Sequence, residues 1–389
     1  MTTDRAYFDW NATAPLRPAA RAAMVAALDA PGNASSVHEE GRAAWRLIEG
    51  ARRQVATLAG AEAKQVTFVS GATEANALAL TPTIELAGNK APRDRLFVSA
   101  VEHPSVLAGG RFAPEQVEIL PVDRDGRLDL AALSSAIGKA ERPLVSVMLA
   151  NNETGVVQPV AEIAAVVHAG NGLLHVDAVQ AAGRIPLDMI ALGADAISLS
   201  SHKLGGPQGA GALIVRPALF VSPLIRGGGQ ERGTRAGTEN VAAIAGFGAA
   251  AEAARASLGP DVARMAALRA QLEVGIRAAM PDAVIFGGAV ARLPNTSLIA
   301  VPGIKAETAL IAFDLNGIAV SSGAACSSGK VAASHVLTAM GAEPGLARGA
   351  IRISLGATTS ENEVESLLIA WKRLVPSLLK NQPNQGLAA

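Results

Sequence analysis

The strongest constraint on the fold is an alternation between two kinds of segment from about residue 65 to residue 216. Short runs rich in Val, Ile and Leu alternate with longer Ala-rich stretches of helical character. The runs are apolar on both faces, which is typical of buried parallel strands joined by crossover helices. They cover residues 66–70, 96–101, 117–121, 144–150, 173–176, 196–200 and 212–215. The sequence therefore predicts an α/β fold with a large, mostly parallel seven-stranded sheet that binds ligands at the carboxyl ends of its strands.

The pattern changes after Gly259-Pro260, which we expect to interrupt a helical region over 240–280. Strand-like pieces at 283–286, 296–301, 318–321 and 350–354 alternate with helical pieces at 307–315, 335–340 and 361–378. These pieces predict a smaller α+β domain. We expect a large domain over residues 15–258, a small domain built from residues 1–14 and 259–380, and a frayed polar tail over 381–389.

Composition excludes several classes of protein. With 389 residues, half of them apolar, the chain can bury a sizeable core and is neither disordered nor fibrous. Its 34 Lys and Arg balance 34 Asp and Glu, so no overall field recruits nucleic acid or an anionic membrane. No apolar run approaches the roughly 20 residues that span a bilayer, and the first residues do not resemble a secretory signal. A soluble enzyme and a soluble binding protein remain.

The single cysteine, Cys326, narrows the chemistry further. It excludes an internal disulfide and a multi-cysteine metal site, so we expect no resident metal. Free thiols are typical of a reducing compartment, and the predicted location is the cytoplasm.

Two residues at neighbouring strand ends suggest a cofactor. Asp177 directly follows the run 173–176, and Lys203 follows the run 196–200. A βαβ unit takes roughly 30 residues, so both side chains can reach one edge of the sheet. Pyridoxal phosphate requires a lysine amine that forms a Schiff base and a carboxylate that keeps the pyridine nitrogen protonated. The alternative is a structural ion pair, the more common role of an arbitrary Asp and Lys.

The segment from Ser70 to Asn76 has the form of a strand end, a glycine turn and an Ala-rich helix. A helix that starts in this way offers free N–H groups and a positive dipole end to a phosphate, and the Thr73 hydroxyl adds a donor. Ser200 and His202, just before the lysine, can donate to the same phosphate. The alternative is an ordinary helix N-cap that binds nothing.

Two loop features add candidate contacts. His103 follows a strand and precedes Pro104, so its ring can stack on a planar cofactor and relay protons, or it can be a simple capped loop histidine. The Gly-rich segment 227–238 ends in Thr238 and is rich in hydrogen-bond donors. It can fold over a phosphate, including that of a neighbouring subunit, or it can be a solvent-facing loop.

Cys326 and Arg352 fit an amino-acid substrate. Cys326 lies among Ser, Ala and Gly residues that cannot anchor it in a core, so we expect a mobile, reactive thiol rather than an inert buried one. Arg352 interrupts an apolar strand, where a guanidinium needs a carboxylate that a substrate would supply bidentately. The alternative for Arg352 is an internal Arg–Glu ion pair.

Taken together, these segments closely resemble the cysteine desulfurases, pyridoxal-phosphate enzymes of the class V aminotransferase group. The matching motifs run from Tyr7 to about Thr359: Asp9-x-Asn11-Ala12-Thr13, Ser35-Ser36-x-His38, Ser70-Gly71-Ala72-Thr73-Glu74, Glu102-His103-Pro104, Asn151-Asn152-Glu153-x-Gly155, His175-x-Asp177-x-x-Gln180, Ser200-x-His202-Lys203, Arg235-x-Gly237-Thr238, Ser321-Ser322-Gly323-x-Ala325-Cys326 and Ser334-His335-Val336-Leu337. The long segment around Cys326 resembles the branch that serves nitrogen fixation and iron–sulfur assembly. Ala333 stands where that family usually has Pro.

The resemblance implies a fold type I homodimer and a role for each matching residue. Lys203 would form the Schiff base, Asp177 would contact the pyridine nitrogen, His103 would stack on the ring and Gln180 would contact the phenolic oxygen. Around the phosphate it implies Ala72, Thr73, Ser200, Ser201, His202 and Thr238 of the partner subunit. Asn152 would lie near cofactor and substrate, Arg352 would bind the substrate carboxylate and Cys326 would accept the sulfur.

The activity implied by the resemblance is conversion of L-cysteine to L-alanine, with the sulfur held as a persulfide on Cys326. The sulfur would pass to an iron–sulfur scaffold or another acceptor protein, and Cys326 could ligate a cluster transiently during transfer. Two alternatives remain open. One is a selenocysteine lyase or an aminotransferase on the same scaffold, and the other is a non-catalytic scaffold of iron–sulfur assembly.

Overall fold

The fold is described from a computed structural model that covers residues 5–86, 91–323 and 333–380. The expected tail over 381–389 lies outside these ranges. The strands are β1 (Ala6–Tyr7), β2 (Val66–Val69), β3 (Glu85–Leu86), β4 (Arg95–Ser99), β5 (Val117–Leu120), β6 (Pro143–Met148), β7 (Leu173–Asp177), β8 (Ala196–Ser200), β9 (Gly211–Val215), β10 (Leu219–Phe220), β11 (Val284–Ile285), β12 (Thr296–Ala300), β13 (Ile318–Ala319) and β14 (Ile351–Ser354).

The helices alternate with these strands. They are α1 (Pro18–Asp29), α2 (Glu39–Leu58), α3 (Ala72–Ala79), α4 (Pro104–Leu107), α5 (Leu130–Ile137), α6 (Val160–Ala169), α7 (Val241–Ala256), α8 (Leu258–Ala279), α9 (Ala306–Leu315), α10 (His335–Ala339), α11 (Pro344–Gly349) and α12 (Glu361–Lys380). Short 3-10 helices cover Ala63–Gln65, Pro114–Gln116, Ser201–Lys203 and Gln230–Gly233.

The central sheet has seven strands in the order β2-β9-β8-β7-β6-β4-β5. The strands from β8 to β5 run parallel, and β9 is antiparallel to both of its neighbours. Every residue of β6, β7 and β8 is buried, because helices cover both faces of the sheet. The α/β class and the mostly parallel seven-stranded sheet are therefore confirmed.

A second apolar core lies outside this sheet. It joins Phe8, near the start of the described chain, to Phe313 and Trp371, all with no exposed surface. β1 pairs in parallel with β13, while β11, β12 and β14 form a separate antiparallel sheet. The N-terminal segment thus packs with the later part of the chain. The domain division at 14/15 and 258/259 stays a prediction that this packing supports.

The helical region over 240–280 breaks slightly earlier than expected. α7 and α8 meet at Ser257 with a bend of 71°. Gly259 and Pro260 lie in the first turn of α8, where a proline is tolerated because its missing N–H would have no partner within the helix. Across the described ranges no single helix is long and apolar enough to span a membrane; only this bent pair, taken together, has the required length and hydropathy.

Candidate active site

A cavity of about 500 Å³ opens at the carboxyl edge of the central sheet. The edge is polar because Asp177 ends β7, Ser200 ends β8, and the segments after β4 and β6 turn there. Most of the predicted site residues line this one cavity: Ala72, Thr73, His103, Asn152, Asp177, Gln180, Ser200, His202, Lys203 and Arg352. The fold therefore brings together residues that are far apart in the sequence.

The Asp177 carboxylate is nearly buried, with 6% of the residue exposed. It accepts hydrogen bonds from Asn76 Nδ2 at 2.9 Å and from the Val179 N–H at 3.1 Å. No ion pair joins it to Lys203 within the described part of the chain. The structural ion pair considered for these two residues is thus not formed, and both groups face the cavity.

Lys203 reaches the cavity from the short helix that follows β8. Its Nζ donates to the carbonyl oxygens of Asn11 at 2.8 Å and Ala12 at 2.7 Å. These carbonyls belong to the N-terminal segment, and both residues also line the cavity. Both of these acceptors are uncharged backbone oxygens at the cavity wall.

The start of α3 offers a cradle for an anion. Gly71 caps the helix, and the first N–H groups of any helix lack partners within it. A Cβ placed on Gly71 or on Gly209 would meet no atom within 4 Å, so open space lies above this helix end. Thr73 and Ser200 border the same space. An open, hydroxyl-lined helix N-terminus fits a phosphate group.

His103 caps the start of α4 with its ring. Burial lowers its pKa below the usual value; Lys203 and His335 lower it further, and Asp177 opposes them. Its Nδ1 accepts from the Ser105 N–H at 3.2 Å and lies 2.8 Å from the Ser105 hydroxyl. With Nδ1 acting as an acceptor, the ring proton of the neutral form belongs on Nε2.

His202 and Gln180 also line the cavity. Burial, helped by Lys203 and Arg184, lowers the pKa of His202 to about 4, and its Nδ1 lies 3.2 Å from the Thr13 hydroxyl. The buried Arg184 side chain donates to the Gln180 side-chain oxygen. Burial and nearby Arg352 lower the pKa of Arg184 to about 9. The Gln180 amide nitrogen donates to the Asn11 carbonyl at 3.0 Å, which fixes its orientation.

Arg352 lies in β14 with only 4% of its side chain exposed. Its Nη2 pairs with Asp9 Oδ1 at 2.7 Å, and its Nη1 donates to the Asn152 carbonyl at 3.0 Å. Its buried Nε has no hydrogen-bond partner among the residues described. The internal carboxylate partner is thus Asp9 rather than a glutamate, and the guanidinium still lines the cavity.

Three predicted site residues are not found at this cavity. The buried Ser201 hydroxyl lies close to Gly206 and has no hydrogen-bond partner within the described ranges. Thr238 is exposed and does not line the cavity of its own chain. Cys326 falls in 324–332, outside the described residues.

Three residues support the site although the sequence predicts no role for any of them. Asn11 supplies the carbonyl that holds both Lys203 and Gln180. Asn76 and Ser105 connect Asp177 to His103. Each of these residues lies inside or close to a motif that resembles the cysteine desulfurases, and this is the only signal that the sequence carries for them.

The family comparison agrees with this geometry. The chain matches the profile of the aminotransferase class-V family over residues 6–367. It belongs to the class-V aminotransferases. A cysteine desulfurase of Cereibacter sphaeroides is 44% identical to this chain over 386 residues, which cover 98% of this chain and 98% of that protein.

Solved structures point the same way. A NifS-like protein from Rickettsia africae superposes with a TM-score of 0.87 at 36% identity, over 96% of this class-V chain and 99% of that one. A structure of SspA in complex with cysteine superposes with a TM-score of 0.76 at 30% identity, over 91% of this chain and 100% of that one. The fold type I architecture and the cysteine desulfurase activity predicted from the motifs are confirmed, and the family is one of pyridoxal-phosphate enzymes.

Proposed function

We propose that this cavity binds pyridoxal 5′-phosphate and that the enzyme uses it to convert L-cysteine to L-alanine, passing the sulfur to Cys326. The observation that supports this most is the convergence of Lys203, Asp177 and His103 with the start of α3 around a single cavity. The Lys203 amine suits the Schiff base, and the Asp177 carboxylate suits the pyridine nitrogen. The His103 ring suits stacking on the pyridine ring, and the start of α3 suits the phosphate. The volume of about 500 Å³ also leaves room for an amino acid.

When bound, pyridoxal phosphate supplies an electron sink that makes bonds at the substrate α-carbon labile. Lys203 would hold it covalently, and Asp177 would keep a proton on its ring nitrogen. Ala72 and Thr73 would bind its phosphate through the N–H groups of α3, with Ser200 and His202 beside them. His202 suits that position, because a neutral imidazole can donate one hydrogen bond and accept another.

His103 and Gln180 would orient the ring from two sides. The neutral His103 ring can stack on a planar group, and its Nε2–H can donate a hydrogen bond because Nδ1 already accepts from the Ser105 N–H. Gln180 is held by Arg184 and by the Asn11 carbonyl, so its amide presents a fixed edge to the cavity. Both residues act as prearranged contacts rather than as mobile ones.

Asn152 and Arg352 would bind the substrate. The Arg352 guanidinium is the natural partner of the cysteine carboxylate, because its Nε has no hydrogen-bond partner among the described residues and its donors are thus not all used by Asp9 and Asn152. The thiolate of Cys326 would attack the substrate sulfur, the carbon–sulfur bond would break, and the carbon would take a proton to give alanine. The sulfur remains as a Cys326 persulfide.

We further propose a homodimer in which Thr238 of the partner subunit contacts the phosphate. Its exposure outside its own cavity supports that role. A protein scaffold of iron–sulfur assembly, or another thiol-bearing acceptor, would then take the sulfur. A reducing cytoplasm suits a persulfide enzyme that carries one free cysteine.

The test uses the purified protein supplied with pyridoxal phosphate and L-cysteine. We expect a yellow protein that forms alanine, together with sulfide released by a reductant, in equal amounts. Lys203→Ala should abolish both the visible absorbance and the turnover, whereas Lys64→Ala, a change at a residue 67% exposed and paired with Glu62, should leave both intact. Formation of a keto acid instead of alanine would indicate an aminotransferase. A colourless protein would contradict the proposal.

A further inference from the structure

The Gly-rich segment that ends in Thr238 contains a strained stretch of backbone. Glu231, Arg232 and Gly233 have φ values of 46°, 56° and 80° in succession. Glycine adopts this left-handed region freely, but a side chain there brings Cβ close to the following carbonyl. Strained backbone persists only where the surroundings enforce it, and it concentrates at functional positions.

The Glu231 side chain holds this stretch in place. Its carboxylate, only 2% exposed, accepts from Arg52 Nη1 at 2.6 Å, from Arg52 Nη2 at 2.8 Å and from the Phe68 N–H at 2.8 Å. Arg52 is itself fixed, because it also donates to the Val66 carbonyl at 2.9 Å and pairs with Glu49. Its guanidinium lies 4.9 Å from the centre of the Phe68 ring.

A buried ion pair contributes little net stability, since apolar residues of the same volume often do as well. Here the Arg52–Glu231 pair fixes the position of the loop relative to β2. Phe68 is in β2, close to the start of α3, so Glu231 ties the loop to the strand that leads into the phosphate cradle. Arg235 adds a second tie at 3.0 Å to Glu74, which is in the first turn of α3.

The loop is therefore anchored next to one cavity, while its end at Thr238 lies outside the lining of that cavity. Thr238 is exposed, and it does not line the cavity of its own chain. The anchored stretch over residues 231–233 and the exposed Thr238 are separated by only a few residues. An exposed Thr238 held near the cavity of its own chain, but outside it, is available for contact with a neighbouring subunit.

We propose that Glu231 is a positioning residue that acts in trans. Through Arg52 and the Phe68 N–H, it holds residues 231–233 in the strained shape that presents Thr238 to the cavity of the partner subunit. This inference rests on the proposed dimer and on the proposed phosphate contact of Thr238. It identifies Glu231 as the residue that positions Thr238. It also predicts that the active site of the partner subunit is the one that depends on Glu231.

The test uses mixed dimers, made by co-expression with two affinity tags, in which only one site can form the yellow cofactor complex because the other carries Lys203→Ala. In the first dimer, Glu231→Gln is placed in the Lys203→Ala chain, opposite a wild-type chain. In the second, Glu231→Gln is placed in the chain that retains Lys203. The measured quantity is the dissociation constant of pyridoxal phosphate, followed by absorbance during titration of the cofactor-free dimer.

We expect cofactor binding to weaken about tenfold or more in the first dimer, equivalent to about 1.4 kcal/mol. The second dimer should bind as tightly as one that carries Lys203→Ala alone. The reverse pattern, equal weakening in both dimers, or no weakening in either would overturn the proposal. If Glu231→Gln does not fold, Arg52→Lys in the same two arrangements replaces it, since lysine keeps the charge but loses the paired donors.

Two further variants separate the inference from the proposed function. Thr238→Val in the same mixed dimers tests the trans contact alone; if it weakens neither site, the proposed contact fails whatever Glu231 does. Adding Arg232→Gly to Glu231→Gln removes one strained side chain from the left-handed stretch. This change should recover most of the lost affinity if Glu231 acts by holding the backbone, and a failure to recover would contradict that role.

Discussion

The side-chain amide of Asn76 donates a 2.9 Å hydrogen bond to the carboxylate of Asp177, which lies 101 residues further along the chain. The same amide nitrogen donates to the Ser105 hydroxyl at 2.9 Å, and that hydroxyl lies 2.8 Å from His103 Nδ1. Asn76 has no exposed surface and belongs to α3, the helix whose start forms the phosphate cradle. One amide thus connects the helix, the carboxylate and the histidine of the site.

Replacing Asn76 with Leu tests this connection, because leucine keeps the number and branching of the side-chain heavy atoms and removes both N–H donors. The Asp177 carboxylate would lose one of its two hydrogen bonds, and we expect cofactor affinity to fall by about 1–3 kcal/mol. The measurement is the dissociation constant of pyridoxal phosphate. Ser105→Ala is the matched control, since it removes only the branch to His103 and should cost less. Wild-type affinity in Asn76→Leu would show that Asp177 needs no support.

The sheet could be predicted from the sequence because its strands are buried on both faces and therefore read as unbroken apolar runs. The residues that follow those runs, such as Asp177 and Lys203, could be placed at one edge for the same reason. The link through Asn76 could not be predicted. It depends on the packing of α3 against β7, and no local pattern marks which polar residue of a helix faces a distant carboxylate.

Other features show the same limit. The sequence indicates that Arg352 needs a carboxylate, but only the structure shows Asp9 as its partner, because the N-terminal segment packs beside β14. Pro260 is a helix breaker in the sequence, yet the packing puts the bend at Ser257. Local chemistry defines what a group requires, and tertiary packing decides which group supplies it.

Arg352→Lys should weaken cysteine binding much more than cofactor binding. One ammonium cannot reproduce the paired donors of a guanidinium, so we expect a loss of about 2 kcal/mol, or roughly 30-fold in the apparent affinity for cysteine. Steady-state kinetics and cofactor titration measure the two effects separately. Asp9→Asn is the control, because it removes the ion pair and leaves the guanidinium in place. If both variants lose only stability, Arg352 is a structural residue.

The buried His175 should make the protein sensitive to acid. Burial lowers its pKa to about 4, and its ring nitrogens lie 2.8 Å from the hydroxyls of Ser146 and Ser198. The unfolded chain binds a proton on this histidine near pH 6.5, well above the folded value. The stability contributed by the neutral ring is therefore complete above about pH 6.5 and is lost as the pH falls towards 4.

His175→Gln should remove this part of the pH dependence. The difference in unfolding free energy between pH 7 and pH 5 should shrink by about 2 kcal/mol relative to the wild type, as measured by urea denaturation. His38→Gln is the control, because the His38 side chain is 60% exposed. A variant at His175 with the same pH dependence as the wild type would mean that other groups govern the acid response.

Cys326→Ala separates binding from sulfur transfer. Lys203, Asp177 and the start of α3 are unchanged in this variant, so we expect a yellow protein that still gives the spectral change of cysteine binding. Alanine formation should fall by about a hundredfold or more, the scale expected when a nucleophile is removed. The chain has no second cysteine that could replace it. Mixing the variant with L-cysteine and a reductant, while following absorbance and alanine, measures both steps.

The outcomes of this experiment point to different chemistry. Alanine formed at the wild-type rate would mean that sulfur leaves the substrate without a protein persulfide, and the enzyme would then act as a lyase. Loss of cofactor or solubility would mean that the thiol contributes to folding rather than to transfer. Cys326→Ser distinguishes these cases further: a hydroxyl matches the size of the thiol but attacks sulfur poorly, so a reactive role predicts the same loss of turnover with normal folding.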